Sequence, residues 1–298
     1  MVAVVRSEEG TLARLRVDRA DRAWLHERGG TGLSGGLASA HVVLLGCGSL
    51  GAGVAGLLAR AGVGKLTLID PDTLSWDNVA RHALGGDSIG RPKALAVAAS
   101  LRSHLPTTPE VVGLAERWQE VAARSPDRLE ADVIVSTMAA WPDELALAEW
   151  LRPRKTPLVL GWLEPEAAAA HAMLSNPGCL ACSFWPSGAF RHPVALPTKS
   201  SARLADGCHE HYLPYGYVDV VAAQALVTRL VIDVIERKVT RSTHVAWVPT
   251  PRELEALGAE ASRDTRDSHV GALPSVSKSE VRRDLPKDPT CWLCAGGG

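Results

Sequence analysis

Features typical of several protein classes are missing from this 298-residue sequence. Neither sign of charge is in excess, since 32 Lys and Arg stand against 33 Asp and Glu, so no global field indicates nucleic acid or a membrane surface as a partner. No charge-free apolar run reaches the roughly 18 residues of a membrane-spanning helix. The first residues, MVAVVRSEEG, lack the basic-then-apolar plan of a secretory signal. We therefore expect a cytoplasmic, reducing setting, with neither nucleic acid nor membrane as a partner.

Cysteine is also scarce, with six residues. In a reducing setting cysteines are first interpreted as metal ligands or reactive thiols, and only then as disulfides. Cys179 and Cys182 form one Cys-x-x-Cys pair, and Cys291 and Cys294 form another. Two such pairs supply four thiolates to a tetrahedral Zn²⁺ with no open position, so we predict a structural zinc site that ties the C-terminus to the middle of the chain. A redox pair is the alternative.

The strongest pattern lies between His41 and Asp72. An apolar run at residues 42–45 is long enough for a buried strand, and it leads into the turn GCGSLG at residues 46–51. A helix rich in Ala, Leu and Val and a second apolar run at residues 66–69 follow. This order is typical of a βαβ unit with a G-x-G-x-x-G turn at the start of its first helix.

The residues of this turn suit a nucleotide. Gly46 allows the tight turn, Gly48 lets a phosphate approach the backbone, and Gly51 lets the helix pack close to the strand. Free N–H groups at the start of the helix favour an anion. Asp70, at the end of the second strand, stands where a carboxylate can hold a ribose hydroxyl. The pattern alone predicts a nucleotide site, and a plain strand-to-helix connection is the alternative.

Three polar residues follow the second strand, namely Asn78, Arg81 and Lys93. Ligands of an open α/β sheet bind beyond the carboxyl ends of its strands, so all three are placed to face phosphates seated on the glycine turn. For a nicotinamide cofactor, a site has to neutralise the charge of two phosphates and needs few further polar groups. Two cations and an amide suit a triphosphate whose pyrophosphate must leave, so the set favours ATP. The alternative for each residue is a surface position.

Strand-like and helix-like segments continue to alternate along the chain. We predict strands at residues 110–114, 132–136 and 157–161, and helices at residues 118–124, 141–150 and 218–238. This alternation predicts an α/β fold whose sheet extends away from the first βαβ unit. Residues 1–40 are charged and rich in arginine, and we expect them to form an N-terminal arm on one domain over residues 41–298.

Four motifs occur in the order and near the spacing of one family: GCGSLG, the D-x-D of LIDPD, the N-x-x-R of NVARH and the G-x-x-K of GRPK. In them the sequence resembles the ThiF/MoeB/ubiquitin-activating-enzyme (E1-like) superfamily. The resemblance implies a Rossmann-like doubly wound sheet with a crossover loop and a C-terminal four-cysteine zinc knuckle. It also implies adenylation, with ATP, of the C-terminal carboxylate of a ubiquitin-like protein or peptide. Asp70 would then hold the ribose, Asp72 would lie near the metal or phosphates, and the triphosphate would be surrounded by Asn78, Arg81 and Lys93.

The resemblance further implies a thioester step and protein partners. In the family a cysteine before a long helix often takes the acyl group from the adenylate, and Cys208 has that position in a crossover loop of about residues 186–217. The expected partners are a ubiquitin-like protein ending in glycine and a conjugating enzyme. Family members usually pair, so we expect a homodimer in which an arginine of the second subunit assists, Arg28 rather than Arg22. The residues within these motifs most resemble those of a bacterial subgroup found in antiphage operons.

One departure from the family concerns magnesium. Many members have an Asp after the strand that corresponds to residues 132–136, and that Asp binds Mg²⁺, whereas residues 136–140 here are STMAA. Mg²⁺ is still expected, because the charge that develops on departing pyrophosphate must be neutralised. Three carboxylates are candidate ligands: Asp72, Asp143 and Glu144.

A polar segment at about residues 249–288 makes the gap between the two cysteine pairs longer than in compact family members. We expect an inserted loop or a partner-binding element there. Three other functions stay open: a peptide- or sulfur-carrier-adenylating enzyme without a thioester step, a nicotinamide-dependent oxidoreductase, and a non-catalytic scaffold of the same fold. A pyrophosphate-exchange assay separates the adenylating enzymes from the other two.

Overall fold

The structure, a computed structural model, describes residues 2–6, 10, 12–27, 35–105, 110–176, 179–197, 203–204, 211–212, 215–268 and 279–295. Its β-strands are β1 (Val2–Arg6), β2 (Leu12–Arg16), β3 (His41–Leu45), β4 (Lys65–Ile69), β5 (Glu110–Leu114), β6 (Val133–Ser136), β7 (Leu158–Leu163), β8 (Ala170–Ser175), β9 (Ala195–Pro197), β10 (Arg203–Leu204), β11 (His211–Tyr212), β12 (Thr243–Val248), β13 (Ala259–Ala261) and β14 (Ser279–Asp284). Its α-helices are α1 (Arg22–Glu27), α2 (Gly35–Ser39), α3 (Ser49–Ala61), α4 (Trp76–Val79), α5 (Lys93–His104), α6 (Trp118–Arg124), α7 (Trp141–Leu151), α8 (Tyr217–Ile235), α9 (Pro251–Ala256) and α10 (Arg263–Ser268). Short 3-10 turns lie at Gly86–Ser88, Pro126–Leu129, Arg152–Arg154, Pro165–Ala167 and Leu180–Ser183.

An eight-stranded sheet forms the centre of the described chain, in the order β14-β12-β8-β7-β6-β3-β4-β5. The strands from β7 to β5 run parallel to one another, and β8, β12 and β14 are added in antiparallel fashion at one edge. The register places Leu45 of β3 between Ile69 of β4 and Ser136 of β6. The predicted α/β fold with a doubly wound sheet is thereby confirmed.

Helices cover both faces of the sheet, because its central strands are apolar on both sides. In β3, Val42 and Leu44 pack with apolar residues of α3, α5 and α8, whereas Val43 and Leu45 pack with those of α6 and α7. All four side chains are fully buried. Burying a side chain of this size stabilises the fold by about 1.5–3 kcal/mol, so the strand that leads into the glycine turn is firmly held.

The helix α8 lies close to the sheet and to α3. Gly161 in β7 permits this approach, since a Cβ there would lie 2.5 Å from Cγ2 of Val227. Gly53 in α3 leaves room for Gln224, whose Nε2 donates a hydrogen bond to the Ser49 carbonyl at 2.8 Å. The start of α3 is therefore fastened to α8. None of the described helices has the length and apolar character needed to cross a membrane.

The polar segment at residues 249–288 takes part in the sheet. It contains α9, β13, α10 and β14, while residues 269–278 lie outside the described part. β14 pairs with β12 over the full length of both strands and forms one edge of the sheet. Its sequence, SEVRRD, has no apolar face, because an edge strand needs burial on fewer sides than a central one. The segment is therefore more than the loop that its composition indicates.

Candidate nucleotide site and metal centre

The candidate site lies at the carboxyl ends of β3 and β6. These strands are neighbours in the sheet, but β4 and β5 continue on one side of them and β7 on the other. In an open α/β sheet such a switch in strand order leaves a crevice beyond the strand ends, where ligands bind. The glycine turn follows β3 and Thr137 follows β6. Both therefore stand at the rim of this crevice.

Contacts that only glycine permits hold the turn in shape. Gly46 has a φ of +89°, in the region that favours glycine. A Cβ on Gly51 would lie 1.9 Å from the Gly46 carbonyl oxygen and 2.4 Å from Oγ1 of Thr137. Thr137 Oγ1 donates a hydrogen bond to that same carbonyl at 2.8 Å. Gly48 differs, because a Cβ there would meet no heavy atom within 4 Å, and this open space suits the close approach of a phosphate.

The Asp70 carboxylate accepts hydrogen bonds from the backbone of the glycine turn and from the backbone that follows β4. Its Oδ2 accepts the N–H of Cys47 at 2.5 Å, and its Oδ1 accepts the N–H of Asp72 at 2.7 Å. Only 5% of Asp70 is exposed, and this burial raises the pKa of its carboxyl against the opposing effect of the two hydrogen bonds. Asp70 therefore fastens the glycine turn to β4, and its predicted contact with a ribose would be an additional role.

His82 supports the turn from the other side, and sequence analysis assigned it no role. Its Nε2 lies 2.7 Å from the carbonyl oxygen of Cys47, and its Nδ1 accepts the N–H of Leu84 at 3.1 Å. Since Nδ1 is an acceptor, Nε2 carries the proton and the ring is neutral. Burial is the main cause that lowers the pKa of His82. A histidine next to the N-x-x-R motif was the available signal in the sequence.

Two cavities meet above the turn. The acidic cavity, of about 370 Å³, has four carboxylates in its lining: Asp70, Asp72, Glu116 and Asp143. The basic cavity, of about 340 Å³, is lined by polar or basic side chains and by apolar or aromatic ones; the former are Asn78, Arg81, His82 and Lys93, and the latter are Leu50, Trp162, Leu163 and Tyr215. Both cavities share the lining residues Gly48, Lys93, Thr137 and Met138. They therefore form one continuous site of two chemically different halves.

Lys93 stands where the two halves join. It is the first residue of α5, and its Nζ lies 2.9 Å from Oδ2 of Asp72. The Lys93 side chain is 12% exposed, whereas that of Asp72 is 64% exposed. This ion pair holds the Lys93 side chain beside the glycine turn, since Lys93 and Gly48 line the same cavities. Lys93 is thus placed to meet a ligand that occupies both cavities.

Asn78 and Arg81 lie on and beside the short helix α4. The Asn78 Oδ1 accepts hydrogen bonds from the backbone N–H and the hydroxyl of Ser75, at 3.3 and 3.1 Å. Its amide N–H groups are the ones left for a ligand in the basic cavity. The Arg81 guanidinium lies over the ring of Tyr215, 4.6 Å from the ring centroid. The structure thus places the three predicted phosphate-binding residues around one cavity.

The carboxylates near the missing Asp fall into two groups. Glu144 is 8% exposed, accepts a hydrogen bond from the Ser136 hydroxyl at 2.7 Å, and has a pKa raised by burial. It is committed to the interior of the fold. Asp143 lines the acidic cavity, where its Oδ1 accepts a hydrogen bond from Gln119. Of the candidates for Mg²⁺, Asp72 and Asp143 therefore share a cavity, and Glu144 does not.

The four cysteines of the two Cys-x-x-Cys pairs come together in space. All four Sγ atoms lie within 4.8 Å of one another. The separations are 3.9 Å between Cys179 and Cys291 and 3.6 Å between Cys182 and Cys294. Tetrahedral zinc with Zn–S bonds of about 2.3 Å implies sulfur–sulfur separations of about 3.8 Å. The donor set and its spacing therefore suit a four-thiolate metal ion, and all four thiols are free of disulfides.

A further ion pair ties this cluster to the segment after the first cysteine pair. Nη1 of Arg191 lies 2.6 Å from Oδ2 of Asp288. The Oδ1 of Asp288 accepts hydrogen bonds from the N–H and the hydroxyl of Thr290, each at 2.7 Å. These bonds stabilise the turn that leads into Cys291, and this turn directs the second cysteine pair towards the first.

A buried polar network lies behind the basic cavity, and sequence analysis did not predict it. Glu164 Oε1 lies 2.9 Å from Nε2 of His171, and Nδ1 of His171 lies 2.8 Å from Nε2 of His244. The carboxylate of Glu164 also accepts the N–H groups of Val194 and Ala195, at 2.6 and 2.7 Å. Both histidines have no exposed surface. The network therefore joins β8 and β12 to the segment that runs into β9.

Of the three residues Cys208, Arg28 and Arg22, for which the sequence predicts or allows a catalytic role, the structure describes only Arg22. Cys208 and Arg28 lie outside the described residues, so their roles stay predictions. Arg22, the other candidate for an arginine that reaches a second subunit, is used within its own chain. Its guanidinium donates hydrogen bonds to the carbonyls of Ala38 and Gly62. Arg22 therefore holds α2 against the end of α3 and is a poor candidate for the partner's site.

Most of the chain matches one known protein family. The model of the ThiF family matches residues 26–243, which include the glycine turn, the basic cavity and the first cysteine pair. The chain belongs to the ThiF family. The resemblance carried by the four sequence motifs is thereby confirmed.

Relatives of this ThiF-family chain are known in bacteria and archaea. It is 28% identical over 241 residues to the ATP-dependent ubiquitin transferase-like protein Cap2 of Pseudomonas aeruginosa, a match that covers 76% of this chain and 42% of Cap2. It is 30% identical over 179 residues to the SAMP-activating enzyme E1 of Haloferax volcanii, covering 58% of this chain and 64% of that enzyme. The chain thus spans less than two thirds of the length of either relative.

The fold also has solved counterparts. The crystal structure of E. coli MccB with ATP matches 91% of this chain and 70% of MccB, with a TM-score of 0.59 and 16% sequence identity. At that identity the likeness shows the shared fold. It agrees with the doubly wound sheet described above.

Proposed function

We propose that this chain uses ATP to adenylate the C-terminal glycine carboxylate of a ubiquitin-like protein. The observation that carries the proposal is the junction of the two cavities at Gly48 and Lys93. A nucleoside with its ribose beside Asp70 and Asp72 fits the acidic cavity. Its phosphates then pass over Gly48, where a helix begins and its free N–H groups favour an anion. The names of the Cap2 and SAMP-activating relatives support this substrate class.

The chemistry follows from the basic cavity. A carboxylate attacks the α-phosphate, an acyl-adenylate forms, and pyrophosphate leaves with the charge that accumulates on it. Lys93, Arg81 and the Asn78 amide are the groups that stabilise this charge, and they are preorganised around one cavity. Trp162 and Leu163 add an apolar wall to the same cavity. This wall excludes water from the acyl-adenylate and offers a narrow surface to a glycine-ended tail.

Magnesium would bind at the acidic cavity. Asp72 and Asp143 both line it, and hard carboxylate oxygens suit this ion. When bound, Mg²⁺ supplies positive charge to the phosphates. We infer that Asp143, offered from the start of α7, takes over the role of the Asp that is missing from the segment after β6. Asp72 already lies beside Lys93, so its carboxylate is close to where the phosphates would lie.

We further propose that four-thiolate Zn²⁺ binds the cysteine cluster with a structural role. Four protein ligands leave no open position for a water. The ion would fix the C-terminal turn to the segment after β8, so that residues 41–298 behave as one unit preceded by an arm over residues 1–40. Zinc content of the purified chain, measured by mass spectrometry, tests this assignment, with one ion per chain expected.

Cys208 is the proposed acceptor of the acyl group. Attack of its thiolate on the acyl-adenylate forms a thioester and releases AMP. The thioester then passes to a conjugating enzyme, as in a ubiquitin-like cascade of an antiphage operon. We propose that the chain acts as a homodimer in which Arg28 of one subunit reaches the site of the other. These steps rest on the sequence and on the relatives.

The test is ATP–pyrophosphate exchange with a ubiquitin-like protein that ends in glycine. We expect exchange that depends on the carboxylate and that Arg81→Ala lowers by at least tenfold. Cys208→Ala is expected to keep exchange and to lose the thioester on a non-reducing gel. Exchange without any thioester in the unaltered protein would favour a peptide- or sulfur-carrier-adenylating enzyme. An absence of exchange with every such partner would favour a non-catalytic scaffold.

A further inference from the structure

Tyr215 occupies an unusual place beside the phosphate-binding residues. It lies just before α8, at the end of the connecting segment that contains Cys208. Its ring lines the basic cavity, and the guanidinium carbon of Arg81 lies 4.6 Å from the ring centroid. Its hydroxyl lies 3.2 Å from Oγ of Ser49, the first residue of α3. One side chain thus contacts both the glycine-turn helix and the arginine.

Arg81 depends on this contact for its position. Within the described residues its guanidinium donates one hydrogen bond, a long one of 3.5 Å from Nη2 to the carbonyl of Asp77. No carboxylate of the described residues forms an ion pair with it. A free arginine side chain has many rotamers, and ordering it costs about 2 kcal/mol of entropy. An aromatic face under the guanidinium restricts those rotamers and leaves the N–H groups at the guanidinium edge free for phosphate oxygens.

The bond to Ser49 keeps the ring itself in place. Ser49 is also held through its carbonyl, which accepts the Nε2 of Gln224 from α8. The chain just before α8 and the body of α8 are therefore both attached to the same residue next to Gly48. The orientation of Tyr215 is thus fixed relative to the glycine turn, and through the ring so is the orientation of Arg81.

We propose that Tyr215 is a positioning residue for adenylation. It holds the Arg81 guanidinium in the basic cavity, ready for the departing pyrophosphate, from its place just before α8. The proposal deepens the function proposed above and rests on it. Tyr215 itself takes no part in bond formation.

The experiment compares three variants. Tyr215→Leu removes the aromatic face and the hydroxyl, and Tyr215→Phe removes only the hydroxyl. Tyr217→Leu is the matched control, because Tyr217 lies two residues further on, is 44% exposed and does not line the basic cavity. For each variant we would measure kcat and KM in ATP–pyrophosphate exchange, the Kd of ATP by calorimetry without a carboxylate substrate, and Tm.

We expect Tyr215→Leu to lower kcat about tenfold and to raise the Kd of ATP about threefold, magnitudes typical of losing one cation–π restraint. For Tyr215→Phe, kcat and the Kd of ATP should stay within about threefold of the unaltered protein, and for Tyr217→Leu both should equal those of the unaltered protein. Neither change removes the aromatic face under Arg81. In an Arg81→Ala background, Tyr215→Leu should have no further effect on either quantity.

Other results would overturn the proposal. An equal loss from Tyr215→Leu with and without Arg81 would show that the ring acts independently of the arginine. A fall in Tm with an unchanged ATP affinity would show a purely structural role. The calorimetric arm needs no reaction, so it tests Tyr215 even if exchange is not found. If Arg81→Ala and Lys93→Ala leave ATP binding unchanged, the proposed function fails for a separate reason.

Discussion

The two parts of the central sheet differ in how they use polar residues. In residues 41–163 the strands run parallel, and polar side chains gather at the strand ends, where Asn78, Arg81 and Lys93 line an open cavity. In residues 164–295 the strands run antiparallel, and the polar groups are buried among them, as in the contact of His171 with His244. The first part presents these three side chains to a ligand, and the second uses its two buried histidines as an internal fastener.

This difference has a practical meaning. A substitution at the rim of the parallel part should change ligand binding and leave stability nearly intact, because its partners are solvent and ligand. A substitution of a fastener in the antiparallel part should change stability first, because it leaves a buried group without its partner. The predictions below test this contrast in order of decreasing expected effect.

The largest effect is expected at the proposed zinc site. Cys291→Ser removes a buried thiolate ligand and should lower the free energy of unfolding by about 5 kcal/mol, roughly half of what structural zinc provides to small domains. Denaturant unfolding and zinc content are the measurements. A chelator should reproduce the effect on the unaltered chain and leave Cys291→Ser unchanged. Equal stability with and without zinc would refute a structural metal site.

Two glycines of one turn should behave in opposite ways. Gly51→Ala places a Cβ 1.9 Å from a backbone carbonyl and should cost about 3–4 kcal/mol of stability, as severe overpacking does. Gly48→Ala meets open space and should fold normally. It should weaken ATP binding about tenfold, because the methyl group occupies the path of the phosphate. Thermal unfolding and calorimetry separate these outcomes, and unaltered ATP affinity in Gly48→Ala would place the phosphates elsewhere.

Lysines at the two ends of the sheet offer another contrast. Lys93→Ala should lower pyrophosphate exchange about a hundredfold, a barrier increase of about 2.7 kcal/mol, because a charge beside the departing phosphates is lost. Lys65→Ala is the control, since Lys65 lies at the amino end of β4 in an exposed pair with Glu110 at 3.6 Å. Its exchange rate should equal that of the unaltered protein. Similar losses in both variants would argue against a specific role for Lys93.

The smallest effect concerns pH. Burial, with the nearby His171, Arg283 and His192, holds the pKa of His244 well below its ordinary value of 6.5. The unfolded chain therefore binds a proton more readily than the folded chain, so this contribution to stability is complete above pH 6.5 and is lost as the pH falls. Glu164, which contacts His171, is the only acidic group of the described network.

His244→Gln should therefore flatten the loss of stability between pH 7 and pH 5 by about 1 kcal/mol, roughly the value of one pKa unit. The comparison with the unaltered chain cancels the opposite contributions of Asp70 and Glu144, whose raised pKa values favour the folded state at low pH. Urea unfolding at several pH values is the measurement. Parallel pH curves for the two proteins would show that His244 is not the group that titrates.

Much of the parallel part could be predicted from the sequence. The predicted strand over residues 110–114 and the predicted helix over residues 118–124 coincide with β5 and α6. The central strands β3, β4 and β6 were clear from their apolar runs, because parallel strands covered by helices are buried on both faces. Asn78, Arg81 and Lys93 were predicted together as phosphate ligands because they follow one strand in the chain.

The antiparallel part was harder to predict, for a physical reason. β14 has charged residues at four of its six positions, and β8 and β12 each contain a buried histidine whose ring contacts the histidine of the other strand. Such pairs form between residues that lie far apart in the chain, and local composition does not show which residues will meet. Tyr215 escaped prediction in the same way, since its value comes from Arg81 and Ser49, which lie on other elements.

The cysteine cluster also sets an order of events during synthesis. Cys179 and Cys291 are 112 positions apart, so the loop that they close is long and cannot close before Cys291 has been synthesised. Parallel strands, α3 and the glycine turn are complete in sequence well before that, and domains generally begin to fold from the N-terminal side as they emerge. The proposed nucleotide-binding crevice can thus assemble before the four cysteines come together, and capture of the proposed metal ion would follow it.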